Sequence, residues 1–95
     1  MEGINIEPEM PQLGEEVIIH YGGPLGKNAA ADQVYFHFGY GTAWHNLGDI
    51  PMQWDAGNWF CEIVPEAKEI NFCFRDGANN WDNNEGANWN LRIEK

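Results

Sequence analysis

Apolar side chains recur at every second residue in several short stretches of the chain, the signature of strands with one buried face. Val17, Ile19 and Tyr21 alternate within Glu15 to Tyr21, and Val34, Phe36 and Phe38 within Gln33 to Gly39. Ile70, Phe72 and Phe74 do the same within Glu69 to Arg75, and Trp89, Leu91 and Ile93 within Asn88 to Glu94. Ile4 to Glu7, Met52 to Asp55 and Trp59 to Val64 complete the candidate strands. Gly22 to Asn28 reads as loop, and Ala29-Ala30-Ala31 as one helical turn at most. No stretch sustains the spacing of an amphipathic helix. Glycine and proline break the chain roughly every ten residues, as in small all-β folds. Short strands with one apolar face each must bury those faces against one another, so the pattern predicts a single antiparallel β-sandwich.

The 95 residues hold one domain. Residues 1–14 read as a lead-in with a possible first strand, and about 15–94 as the main sandwich. Apolar residues make up 43% of the chain and aromatic ones 14%, enough for a packed core. Fifteen acidic against five basic side chains give a formal charge of -10, which repels nucleic acid and anionic lipid before contact. No apolar run approaches the length of a spanning helix. The residues after Met1 have neither a basic flank nor an apolar stretch, so the expectation is a cytoplasmic chain, unless it is a fragment of a larger secreted protein. A monomer is expected.

Cys61 and Cys73 sit in two candidate strands joined by Pro65-Glu66-Ala67-Lys68. A hairpin about Ala67 would oppose the two sulfurs on one face. A bridge and two reduced, buried thiols both stay open on that pattern. No His or basic neighbour marks either thiol as a nucleophile.

Chemistry concentrates in two places. Val34, Phe36 and Phe38 point one way, which leaves Tyr35 and His37 on the opposite, outer face. Trp44 follows in a short polar segment that ends at Gly48-Asp49-Ile50-Pro51. Farther on, Asp76 to Asn88 is a loop of Asn, Asp and Gly with Trp81 in its midst. Asx turns account for some of these amides. They do not account for a large indole among them. Sugar recognition does, because a pyranose offers an apolar C–H face to a flat ring and a rim of hydroxyls to amides. Each ring covers on the order of 80–100 Å² of apolar area, about 2 kcal/mol. Two or three rings and a few hydrogen bonds, less the cost of association, imply a dissociation constant of roughly 10 µM to 1 mM.

The segments Tyr35-Phe36-His37-Phe38-Gly39-Tyr40-Gly41, Trp44, Pro51-Met52, Phe72-Cys73-Phe74-Arg75-Asp76-Gly77, Asn80-Trp81-Asp82-Asn83-Asn84 and Gly86-Ala87-Asn88-Trp89 carry a further signal. Together they resemble the starch-binding modules of carbohydrate-binding module family 25 and the related modules of starch synthases. The likeness runs from about Glu16 to Ile93, with Trp-Asp-Asn-Asn after Phe-Arg-Asp-Gly as its most specific element. It implies an immunoglobulin-like sandwich that binds α-1,4-glucans without catalysis. It also implies a sugar platform of His37, Trp44 and Trp81, with Asn83 or Asn84 as hydroxyl partner. With no leader read at the start of the chain, glycogen or stored starch inside the cell is the expected polymer. An amylolytic or glycogen-metabolising enzyme is the expected partner.

Other readings weigh less. Trp89 shares its alternation with Leu91 and Ile93 and Trp59 with Ile63, so both are read as core; Trp54 is undecided. Tyr35 and Tyr40 are candidates for the border of the site. His20 and His45 lack partners at zinc-ligand spacing. An EF-hand opening at Asp82 would need an oxygen ligand where Gly86 stands and a Glu where Ile93 stands, which leaves only an irregular calcium site around Asp76, Asp82, Asn84 and Glu85. No cofactor is implied. Glycoside hydrolysis needs two carboxyls across a cleft, and in a chain this acidic any pair satisfies that trivially. A protein-interaction module using exposed aromatics is the third class, but it would prefer apolar neighbours to the Asn frame of Trp81.

Overall fold

Burial follows the alternation along the chain in this computed structural model, which describes residues 3–27, 33–55 and 57–94. Nine strands and one helical turn are present among them: β1 (Ile4–Glu7), β2 (Val17–Tyr21), α1 (Pro24–Lys27), β3 (Val34–Tyr40), β4 (His45–Pro51), β5 (Gln53–Asp55), β6 (Asn58–Ile63), β7 (Glu69–Asp76), β8 (Trp81–Asp82) and β9 (Trp89–Arg92). They form two antiparallel sheets, one in the order β1-β2-β6-β5 and the other β4-β3-β7-β8. The sheets pack face to face, so the fold is the expected β-sandwich. In the second sheet β9 also pairs with β7. The far edge of β7 is thus shared: Phe74 and Arg75 face β8, while Glu69 to Phe72 face β9. The stretch expected as one loop from Asp76 to Asn88 is therefore divided: Asp76 ends β7, Trp81 and Asp82 form β8, and residues 83–88 are the excursion between β8 and β9.

The core comes from the faces that the alternation marked. Val17, Ile19 and Tyr21 from one sheet meet Val34, Phe36, Ile70, Phe72 and Phe74 from the other, all essentially without solvent contact. The Tyr21 ring stacks on Phe74 at 4.0 Å between centroids. Removing any one of the buried phenyl rings costs about 3–5 kcal/mol. Trp59 is buried as expected, and Trp54 lies against it edge-on at 5.2 Å while remaining exposed.

Four further expectations need correction. Gly22 to Asn28 is not all loop, because Pro24 opens the turn α1, and proline is preorganised for a first helical position. Residues 29–31, expected to form at most one helical turn, lie outside the described residues. The polar segment after Trp44 is strand β4, held by its ladder to β3 rather than by an apolar face of its own. Pro65 to Lys68 crosses between sheets instead of closing a hairpin, so β6 and β7 lie in different layers. Cys61 therefore faces the core and Cys73 the outer side of the second sheet, and both are free. Burial, then the Glu62 charge, pushes the Cys61 thiol up to about 12; burial, then Asp49 and Asp82, pushes Cys73 up to about 11. Both stay protonated, which makes them poor nucleophiles. Finally, Trp89 is only half-buried: it stacks on Phe72 and meets Phe74 edge-on, at the margin of the core rather than within it.

Candidate ligand-binding face

Directly opposed residues of an antiparallel ladder share a face, and the ladders of the second sheet gather one set on its outer side. His37 stands opposite Asp49 of β4 and Cys73 of β7. Tyr35 stands opposite Arg75, and Arg75 opposite Trp81 of β8. The imidazole of His37 lies 6.1 Å from the Trp44 indole, tilted by 31°, and 5.3 Å from the Trp81 indole, at 86° to it. The structure thus brings together His37, Trp44 and Trp81, with His37 in the middle.

Each ring is held by local backbone chemistry. Trp44 has φ 56°, a left-handed conformation that bulky side chains rarely adopt. It closes the turn after β3 through its N–H to the Gly41 carbonyl. The β3–β4 register slips between Phe38 and Tyr40, where Gly39 lies so close to Trp44 that a Cβ would stand 2.6 Å from its Cα. Only glycine fits there. Such a bulge re-aims a neighbouring side chain. Trp81 is 45% exposed, and its Nε1–H donates to Asn79 Oδ1 at 3.1 Å. Beneath that turn the Asp76 carboxylate, almost fully buried, accepts the N–H groups of Ala78 and Asn80 and the Asn80 side-chain amide. The bonds from Asn80, then that from Ala78, hold the Asp76 carboxyl below its ordinary value against the effect of burial.

The imidazole has its own clamp. His37 Nδ1 lies 3.3 Å from Asp49 Oδ1, and Arg75 donates to both oxygens of the same carboxylate. The Arg75 guanidinium also sits 4.0 Å above the Tyr35 ring. Burial raises the Asp49 pKa, but the bonds from Arg75 and then His37 outweigh it and hold the group below its ordinary value. An ionised carboxylate only accepts, so Nδ1 donates to Asp49 and Nε2 is the ring nitrogen left for another partner. The sequence assigns no role to Asp49 or Arg75, although Arg75 stands in the Phe-Arg-Asp-Gly element. Recognising β4 as the partner of β3 would have put Asp49 across from His37.

Asn83 and Asn84 lie beyond Trp81, in the excursion. Asn83 Oδ1 accepts the Gly86 N–H at 3.0 Å, and Asn84 Nδ2 donates to the Asn88 carbonyl at 3.1 Å. Asn84 lines a separate cleft with Asp82 and Trp89 rather than the ring cluster. Tyr35 borders the cluster through Arg75, whereas Tyr40 is buried and its hydroxyl accepts the Glu66 N–H. His45 is exposed, and His20 lies on the other sheet. Among the described residues no three His, Cys, Asp or Glu side chains gather at metal-binding distance.

The chain is 36% identical over 81 residues to an alpha-amylase of Clostridium acetobutylicum. That alignment takes in 82% of this chain and 10% of the amylase, so the chain spans about a tenth of the length of this relative. The match is distant and partial. No family model and no solved structure matches the chain.

Proposed function

We propose that this chain is a non-catalytic carbohydrate-binding module for α-1,4-glucans, of the kind grouped in family 25. The observation that carries the reading is the solvent-facing imidazole of His37 flanked by two indoles. Trp44, tilted by 31° from the imidazole, forms a floor with it, and Trp81 stands at 86° as a wall. A curved α-linked chain follows such a corner, whereas a flat β-linked chain does not. Nε2 of His37 hydrogen-bonds one sugar hydroxyl. The carboxylate beside His37, that of Asp49, is tied to Arg75 and serves to hold the ring rather than to move protons.

The likeness to a tenth of an alpha-amylase supports a starch-related role for the chain. Starch, glycogen and maltooligosaccharides are the proposed ligands, and an amylolytic enzyme the proposed companion. Three rings of about 2 kcal/mol each and a few hydrogen bonds to the hydroxyl rim, less the cost of association, give a dissociation constant of roughly 10 µM to 1 mM. Tryptophan fluorescence titrated with maltoheptaose is expected to saturate in that range, with no response to cellohexaose. Equal responses to both sugars would defeat the α-glucan assignment.

A further inference from the structure

Consecutive residues of β8 face opposite ways. Trp81 points to the outer face, whereas Asp82 turns toward the first sheet, where its Oδ2 accepts the Tyr21 hydroxyl at 2.6 Å. That bond joins the two layers at the open end of the sandwich. Beside it lies a cleft of about 560 Å³, bounded by Gly22, Gly23 and Pro24 on one side and by Asp82, Asn84, Glu85 and Trp89 on the other. Its volume falls within the range of about 300–1,000 Å³ typical of small-molecule sites.

The glycine side of the cleft is obligatory. A Cβ on Gly23 would stand 2.6 Å from the Tyr21 ring, so only glycine lets the chain run against it. Gly22 is tied by its N–H to the Gly3 carbonyl at 2.8 Å. Opposite, the Trp89 indole keeps one face on Phe72 and contributes its remaining surface to the wall. The polar groups are mostly acceptors. Among the described residues no hydrogen bond uses Asp82 Oδ1, the Asn84 side-chain carbonyl or the Glu85 carboxylate. Anions are repelled by this set, and two carboxylates fall short of the oxygen cage that calcium takes. Hydroxyl donors on a ring with an apolar face suit it, the hydroxyls to the acceptors and the C–H face to the indole and Pro24.

We infer that this cleft is a second carbohydrate site, which takes the terminal one or two units of a neutral oligosaccharide while the outer face holds the middle of a chain. The inference rests on the glucan reading for its ligand. It explains why Asn84 stands apart from the three rings. With two sites facing different directions, one copy of the chain bridges two glucan strands or holds a chain end beside a chain interior.

Backbone and indole N–H signals of the isotopically labelled chain, followed by NMR during a maltose titration, test this for wild type, Trp81→Ala and Glu85→Gln. In Trp81→Ala the Gly22 and Gly23 amides and the Trp89 Nε1–H are expected to shift and saturate as in wild type, while His37 and Trp44 no longer respond. Glu85→Gln is expected to weaken the cleft response about tenfold, the loss of a charge-assisted hydrogen bond, and to leave the outer face unchanged. A wild-type protein whose outer face responds while the cleft signals stay still overturns the second site alone. No response at either place to maltose or maltoheptaose overturns the glucan reading as well. A cleft that responds to putrescine and not to maltose overturns the sugar assignment in favour of a cation. Dispersion of the remaining signals reports that each variant is folded.

Discussion

Each sheet of the sandwich displays a histidine on its outer face with a carboxylate beside it, yet only His37 is flanked by two indoles. His20 lies 3.1 Å from Glu7, and His37 lies 3.3 Å from Asp49. The side chains are equally accessible, at 25% and 27%, so exposure does not separate them. What surrounds them does. His20 has Asn58 at 3.0 Å and a single phenyl, Phe60, at 6.4 Å, both supplied by the adjacent strand. His37 has two indoles, one delivered by a strained turn and the other by the two-residue strand β8. Its carboxylate is held in turn by an arginine. Regular ladders space side chains too evenly to build a concave corner; irregular segments break that spacing and bring large rings together.

Variants of both faces sharpen this contrast. The largest effect is expected from Trp81→Ala, which removes about 2 kcal/mol of contact and weakens retention on an amylose gel about thirtyfold. Phe60→Ala on the opposite face is expected to leave retention unchanged. Gly39→Ala comes next. Its methyl meets the Trp44 backbone, which cannot swing aside, so a loss of about 1–3 kcal/mol in stability is expected with a matching drop in maltoheptaose affinity. A thermal melt and a fluorescence titration read the two effects separately. Asp49→Ala frees His37 and is expected to weaken binding about fivefold, ~1 kcal/mol, with altered ¹⁵N shifts of the His37 ring; Glu7→Ala is expected to change neither.

The smallest effect is one of pH. Because the folded-state pKa of Asp76 is depressed, its stabilising contribution is present above the ordinary carboxylate pKa and is lost as pH falls through that value and below. Asp76→Asn is therefore expected to melt below wild type at neutral pH, with the gap closing in acid. A gap that persists unchanged at low pH would mean that the carboxylate charge is not what orders the Trp81 turn.

Most of the core was legible because period-two alternation is a local property. Val17-Ile19-Tyr21, Val34-Phe36-Phe38 and Ile70-Phe72-Phe74 each announce a buried face without reference to anything distant, and the same alternation turns His37 outward. Strand β4 was hidden for the converse reason. Its residues are exposed or half-buried throughout, so no apolar period exists to detect and the pairing is imposed by β3. The crossing at Pro65 to Lys68 was misread because a turn and a change of sheet use the same residue types. The clamp of Asp49 and Arg75 is a product of register across three strands, which no local pattern encodes. Trp44 and Trp81 were identifiable as indoles in polar settings, but their meeting over His37 depends on Gly39 and on the rungs of β8.

The shared edge of β7 has an engineering corollary. Residues 83–88 run from β8 to β9, both of which pair with β7, so the segment is spliced into one edge of the sheet like a cassette. Doubling its length adds only about 0.6 kcal/mol of closure entropy. Grafts of different length and composition can therefore be exchanged there while the double layer and its phenyl interior stay as they are, which makes this the natural place to retune what the scaffold grips.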